Sequence, residues 1–148
     1  MFNRKGILRE REGSPTLPTL GGLKYILHFV PADESWDGPL AAELSQRWPF
    51  VAERHRLWYR SKHGVIAPGS LDLQQVQSDV MLANLAALSE GTIDEEALAA
   101  GMALLGPVVR EDSSSVHLRK DALWEALEPH IVREFIDQGI SAVTYIGP

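Results

Sequence analysis

The hydrophobic pattern of this chain changes period several times, and each change predicts an element. Tyr25–Val30 is apolar on both faces apart from His28, as a strand must be when it runs through the middle of a sheet covered on both sides. Leu40, Leu44 and Trp48 recur at i, i+4 and i+8, the buried stripe of a helix. That helix is expected to begin near Asp37, whose carboxylate is placed to cap it, with Pro39 tolerated in the first turn. Pro49 interrupts, and a second helix from about Phe50 to Ser61 puts Val51, His55 and Trp58 on one face. Leu71–Gln77 alternates apolar and polar residues, the mark of a half-buried strand. Ser78-Asp79 then forms a tight turn, and Val80–Ala87 returns as the second strand of a hairpin, although its alanines also permit a helix.

The flanking segments follow the same rules. Gly6–Glu12 reads as a short edge strand around Ile7 and Leu8 with its charges outward. Gly13–Gly22, with two prolines and three glycines, excludes regular structure. Ile93–Leu105 is an alanine-rich helix with Asp94, Glu95 and Glu96 where the helix dipole favours negative charge, closed by Gly106-Pro107. After a polar loop from Glu111 to Ser115, a long amphipathic helix is expected from about Arg119 to Gln138, kinked or divided by Pro129 and stopped by Gly139. Ile140–Ile146 is a final apolar strand. Strands alternating with helices define the α/β class, and one domain accounts for the whole length.

Composition changes this picture only by exclusion. With 148 residues, 45% of them apolar and 23% charged, the chain has the make-up of a globular domain with a core. A net charge of −6 argues against a nucleic-acid partner, which would call for a concentrated basic face. The one basic run, Arg54, Arg56, Arg60 and Lys62, reads as the solvated side of a helix. Cysteine is absent, which removes disulfides, thiolate nucleophiles and zinc–thiolate sites and is compatible with a reducing cytoplasm. The first thirteen residues hold no apolar core of signal-peptide length, and no window approaches the ~18 apolar residues of a membrane span. The expectation is a cytoplasmic protein without a membrane partner.

Several segments, in order, resemble the macrodomain family, α/β modules that bind ADP-ribose. Gly13-Ser-Pro-Thr-Leu-Pro18 is similar to the family's Gly-Asp-Ala-Thr-x-Pro lead-in, and Ile26-Leu-His-Phe-Val30 to its strand ending His-Val-x-Asn. Trp36-Asp-Gly-Pro39 looks like its glycine-rich loop, and Leu44-Ser-Gln-Arg-Trp-Pro49 like the Ser-x-Arg-Trp-Pro helix end. Asp72–Gln77 with Leu82-Ala-Asn84 resembles the Val-Gln-x-Val…Val-Ala-Asn hairpin. Leu118–Leu127 looks like the Ile-Arg-Tyr-x-Ala-Leu helix, and Ser141–Gly147 like the strand carrying Pro-Arg-Ile-Gly. The resemblance implies a three-layer α/β/α fold with a central mixed sheet over residues 1–148. Residues 1–22 are then an edge strand and Pro/Gly-rich lead-in, 93–106 an inserted helix, and the family's last strand and helix are missing.

The same resemblance implies where a ligand would sit: Ser14, Asp33, Ser35, Trp36, Asp37, Gly38 and Gly147 as binding residues. The departures fall on these positions. Ser14 stands for the family's adenine-recognising acid, Pro31 for its ribose-side Asn, and Trp36-Asp37-Gly38-Pro39 for a loop whose N–H groups cradle a diphosphate. Pro39 has no N–H, and the Asp37 carboxylate repels phosphate. A degenerate, non-catalytic binding or interaction module is therefore expected, with ADP-ribose or a related nucleotide as ligand and no cofactor or metal. If it is an enzyme, an ADP-ribosyl glycohydrolase-type hydrolase, Asp33, Glu34 and Asp37 are the candidate catalytic carboxylates. A third reading is a structural subunit whose sheet edge is covered by a second copy or a protein partner.

Among the remaining candidates, His28 reads as a satisfied core histidine and Trp36 as a lid over the core. His55, His63, His117 and His130 lack the spacing of a helical metal site, and Ser113-Ser-Ser115 lacks a nucleophile elbow.

Overall fold

The computed structural model describes residues 4–147; the first three residues of the lead-in and Pro148 lie outside the described residues. Seven strands form one mixed sheet: β1 (Leu8–Glu12), β2 (Lys24–Pro31), β3 (Leu71–Gln77), β4 (Val80–Ser89), β5 (Thr92–Ile93), β6 (Ser115–Arg119) and β7 (Ala142–Ile146). Their spatial order is β1-β7-β6-β2-β4-β3, with β5 pairing on β4. The β1–β7, β7–β6, β6–β2 and β2–β4 pairs are parallel, and β4 pairs antiparallel with β3 and β5.

Helices α1 (Pro39–Arg47) and α2 (Val51–Ser61) cover one face, α3 (Glu95–Glu111) and α4 (Trp124–Glu134) the other. The reason is written in β2. Tyr25 and Leu27 point to a core shared with Leu98, Met102 and Leu105 of α3 and Leu127 and Ile131 of α4. Ile26, between them, points to a second core with Leu44, Trp48 and Val51. Alternation of side chains across a strand lets five apolar positions feed two layers at once. The expected stripe on α1 is real: Leu44 and Trp48 are buried, with Leu40 packed at the margin.

Three element expectations need correcting. The long helix expected over 119–138 is instead the end of β6, a turn, α4 and a short 3-10 turn at Ile136–Gln138. Val116 and Leu118 alternate with His117 into the core facing α3 and α4, and β6 takes the place between β2 and β7. Pro129 does not divide the helix; it lies inside α4, which runs to Glu134 with Phe135 as its cap. Gly106-Pro107 does not close α3, which continues to Glu111. Proline forfeits one backbone bond there, but Leu105, Gly106 and Val109 are buried beyond or beside it, and that burial outweighs the loss. Finally, Asp37 does not cap α1. Gly38 occupies the cap position at φ 105°, and no side chain caps the first-turn N–H groups.

At the charged edge, β1 is held by contacts made just before it. Gly6 N–H donates to Ile136 O (2.8 Å), Ile7 N–H to Ser141 Oγ (3.0 Å), and Ala142 N–H to Ile7 O (3.0 Å). A Cβ on Gly6 would lie 2.1 Å from the Ile140 carbonyl oxygen, so the two backbones touch. Replacing Gly6 by Ala should lower unfolding stability by roughly 1–3 kcal/mol through this clash. An unchanged urea midpoint would show that β1 docks without it.

Candidate functional site

The site is built where the chain reverses direction across the sheet. From β2 the chain leaves through α1 and α2 to β3 and β4 on one side; from β4 it crosses through α3 to β6 on the other side of β2. The loops after β2 and β6 therefore part, and the crevice beyond their carboxyl ends is where open α/β sheets take ligands. A cavity of about 210 Å³ occupies this crevice. Asp37, Gly38 and Leu40 line it from the β2 side, Arg119, Asp121 and Leu123 from the β6 side, over a mostly apolar floor.

The loop on the β2 side is placed from beneath. One oxygen of the buried Asp72 carboxylate accepts from His55 Nδ1 (2.8 Å), Asn84 Nδ2 (3.1 Å) and Gln74 Nε2 (3.2 Å). Asn84 Oδ1 in turn bonds His28 Nδ1 at 2.8 Å. Burying a carboxylate is tolerable only when its lone pairs are used in this way. Trp36 lies on this network, edge-on to His28 (4.8 Å between ring centres) and tilted on His55 (5.4 Å). Its indole N–H donates to Ser45 Oγ (2.8 Å) and Ala41 O (3.1 Å) of α1. Trp36 is thus a lid over the core, as the sequence suggested, and its polar edge is spent inside the protein.

The other expected site residues are dispersed. Asp33 Oδ1 accepts from Ser35 N–H at 2.8 Å, closing a local turn at the surface. Glu34 faces Arg60 at 3.8 Å, both side chains exposed. Of the three candidate carboxylates only Asp37 lines the cavity. Ser14 lies in a neighbouring groove with Gln46 and Arg47, donating to Glu43 Oε2 (3.0 Å) and accepting from Thr16 N–H (3.1 Å). Gly147 is not brought to Asp37: it packs against Gly13, where an added Cβ would stand 2.7 Å from the Gly13 carbonyl oxygen. The loop facing Asp37 is the one after β6, so Arg119, Asp121 and Leu123 are the residues missed by sequence reading. Their signal was the five-residue strand Ser115–Arg119 and the turn after it, in which Asp121 Oδ1 accepts from Leu123 N–H at 2.9 Å.

Arg119 is the cation of the cavity. One of its Nη groups contacts Glu43 Oε2 of α1, while its Nε is buried and donates to nothing. Among the described residues no group of three or more His, Asp or Glu side chains is arranged to hold a metal ion.

Ser115, His117 and Tyr145 form a second internal chain. His117 Nε2 is 2.7 Å from Ser115 Oγ, and its Nδ1 is 2.8 Å from Tyr145 OH, which accepts from Thr19 N–H (2.9 Å). Burial, and then the Lys24 ammonium, push His117 down to about 4, so the imidazolium that nucleophile activation requires is disfavoured. Burial likewise holds His28 down to about 4, with the neighbouring His55 adding to the shift and its bond to Asn84 opposing it.

Two predictions follow from these buried groups. An unfolded histidine takes a proton below about pH 6.5, whereas these two stay neutral in the fold until about pH 4. Stability should therefore be level above pH 6.5 and fall as pH drops from 6.5 toward 4, by about 3 kcal/mol for each histidine. Ring signals of His28 and His117 in NMR should keep their neutral-form positions down to about pH 5; midpoints near pH 6.5 would contradict this. Asp72→Ala should cost about 3 kcal/mol or more by stranding three donors, read as the loss of unfolding free energy in urea.

No protein-family model matches the sequence, and no curated protein does. Solved structures do. A macrodomain protein from Streptomyces coelicolor matches with a TM-score of 0.86 at 24% identity, over 94% of this chain and 98% of that one. The macrodomain of Mycobacterium tuberculosis DarG matches at 0.73 and 19% identity, over 95% of this chain and 97% of that one. A Thermosipho africanus DarTG solved in complex with ADP-ribose matches at 0.72 and 13% identity, over 99% of this chain and 44% of that one. The sequence reading expected a last strand and helix to be missing, but the first two matches cover 98% and 97% of those chains and leave no room for such a gap. Over nearly its whole length, this chain has the macrodomain fold.

Proposed function

We propose that this chain is a non-catalytic binding module of the cytoplasm whose cleft takes ADP-ribose or a related nucleotide. The observation that carries the reading is the crevice beyond β2 and β6, with an apolar floor for a ring and one guanidinium, Arg119, at its wall. The Thermosipho africanus DarTG that shares the fold was solved with ADP-ribose, which makes that ligand the first to test. At about 210 Å³ the cavity is below the ~300–1,000 Å³ of pockets that enclose a drug-sized ligand. As it stands it holds one moiety of a dinucleotide, not the whole.

The non-catalytic part rests on the carboxylates. Asp33 is tied to its own loop and Glu34 lies beside Arg60, both at the surface. Of these three Asp37 alone lines the cavity, with Asp121 on the β6 side, and for a hydrolase it would have to serve as base or water-positioning group where the resemblance places Pro31 at the usual Asn. The reading as a subunit completed by a partner strand draws no support from the sheet edge: β1 carries Arg9, Glu10, Arg11 and Glu12, charges that discourage strand addition.

Calorimetric titration with ADP-ribose should give binding with one site per chain. Incubation with a mono-ADP-ribosylated protein should release no ADP-ribose. Release that disappears on changing Asp33, Glu34 and Asp37 to Ala would replace this reading with the hydrolase, and absence of any binding would remove ADP-ribose as the ligand.

A further inference from the structure

The contact between Arg119 and Glu43 has a position that neither residue explains alone. Arg119 lines the cavity beyond β2 and β6; Glu43, on the exposed side of α1, lines the groove that holds Ser14, Gln46 and Arg47. The ion pair is the wall between the two. That groove measures about 330 Å³ beside the cavity's 210 Å³, so with the pair parted the joined space enters the ~300–1,000 Å³ range of complete ligand pockets.

Charge sharpens the point. Asp37 and Asp121 on the rim already repel an anion, and Glu43 neutralises Arg119, the guanidinium of the cavity, while Arg47 lies on the groove side. Glu43 itself is held by a second donor, Ser14 Oγ, at 3.0 Å, so its carboxylate oxygen sits where an anionic ligand oxygen would accept from both. Among the described residues the buried Arg119 Nε has no acceptor, which leaves one edge of the guanidinium fork unused. A bidentate phosphate or carboxylate would use two donors of that fork, where Glu43 contacts one.

We infer that the Glu43–Arg119 ion pair is a gate across a single cleft, with Glu43 holding the place of a ligand anion until a phosphate or carboxylate takes Arg119 from it. This rests on the reading of the crevice as a nucleotide site. It assigns Arg119 as the anion anchor, Glu43 as its internal competitor, and Ser14 as the group that steadies the closed state. A nucleotide then binds by spending part of its charge interaction on parting the pair, and removing the Glu43 charge removes that cost.

The test follows the Arg119 side-chain Nε–H signal by NMR in isotope-labelled full chain, wild type and Glu43→Gln, during titration with pyrophosphate and separately with ADP-ribose. Glu43 lies on a surface helix, and an urea unfolding curve checks that the variant folds. Both probes should move the Arg119 signal, at about tenfold lower concentration in Glu43→Gln, and Arg119→Lys should lose most of the binding seen by calorimetry because the fork is gone. If pyrophosphate moves the signal with that tenfold gain but ADP-ribose does nothing in either protein, the gate stands and the ADP-ribose reading falls. If ADP-ribose binds both proteins equally and the Arg119 signal stays still, the gate is overturned and the ligand reading survives. If neither probe moves the signal in either protein, the gate is overturned outright.

Discussion

A single buried carboxylate holds the ligand side of this molecule together. Asp72 on β3 has one oxygen receiving three donors, from α2, from its own strand and from β4, and through Asn84 it reaches His28 on β2. An unpaired charge at that depth would cost several kcal/mol, so the four elements must arrive in register for the fold to be stable. What the network supports is a platform of two imidazoles. Trp36 rests on it and ties the loop after β2 to α1 through Ser45 and Ala41. The position of α1 then determines where Glu43 meets Arg119, so the polar hub under the sheet sets the geometry of the cleft above it.

The cleft therefore has a rigid wall and an adjustable one. Its β2 side is built from packed aromatic rings and a glycine, Gly38, in a backbone conformation that other residues rarely adopt. Its β6 side is a short turn bearing charges, braced by an ion pair with neither partner fully buried. A pair of that kind is weaker than a core contact and exchanges readily for a ligand of the right charge.

Much of this was legible along the chain. Tyr25–Val30 could only be a central strand, because six nearly uninterrupted apolar residues demand cover on both faces. Leu71–Gln77 and Val80–Ala87 suggested a hairpin through alternation followed by a two-residue turn, with a helix left open for the second segment, and the strand runs on to Ser89. The role of Trp36 as a lid followed from its place between two apolar elements. By contrast β6 was hidden, since five residues are too few to show a period of two, and the helical pattern of Ala122, Leu123, Ala126 and Leu127 drew in its last residue, Arg119. That one omission displaced the second wall of the cleft from Arg119–Leu123 to Gly147 and made the fold look short of a strand and a helix. The extension of α3 past Gly106-Pro107 was missed for a related reason: local propensity argued for a stop, and only the core beneath Leu105 and Val109 argues for continuing.

What the sequence determined by itself is the set of elements with strong periodicity, the two-sided burial of β2, and the absence of the usual anion-binding chemistry from the loop at Trp36–Pro39. These are local properties, fixed by which side chains stand at which spacing. Tertiary structure alone decided which loops face each other, because that depends on strand order, and parallel neighbours such as β2 and β6 are separated by most of the chain. It also decided that Ser14, Glu43 and Arg119, far apart in sequence, share one set of charges. Pairing across such distances leaves no periodic trace for a sequence reading to find.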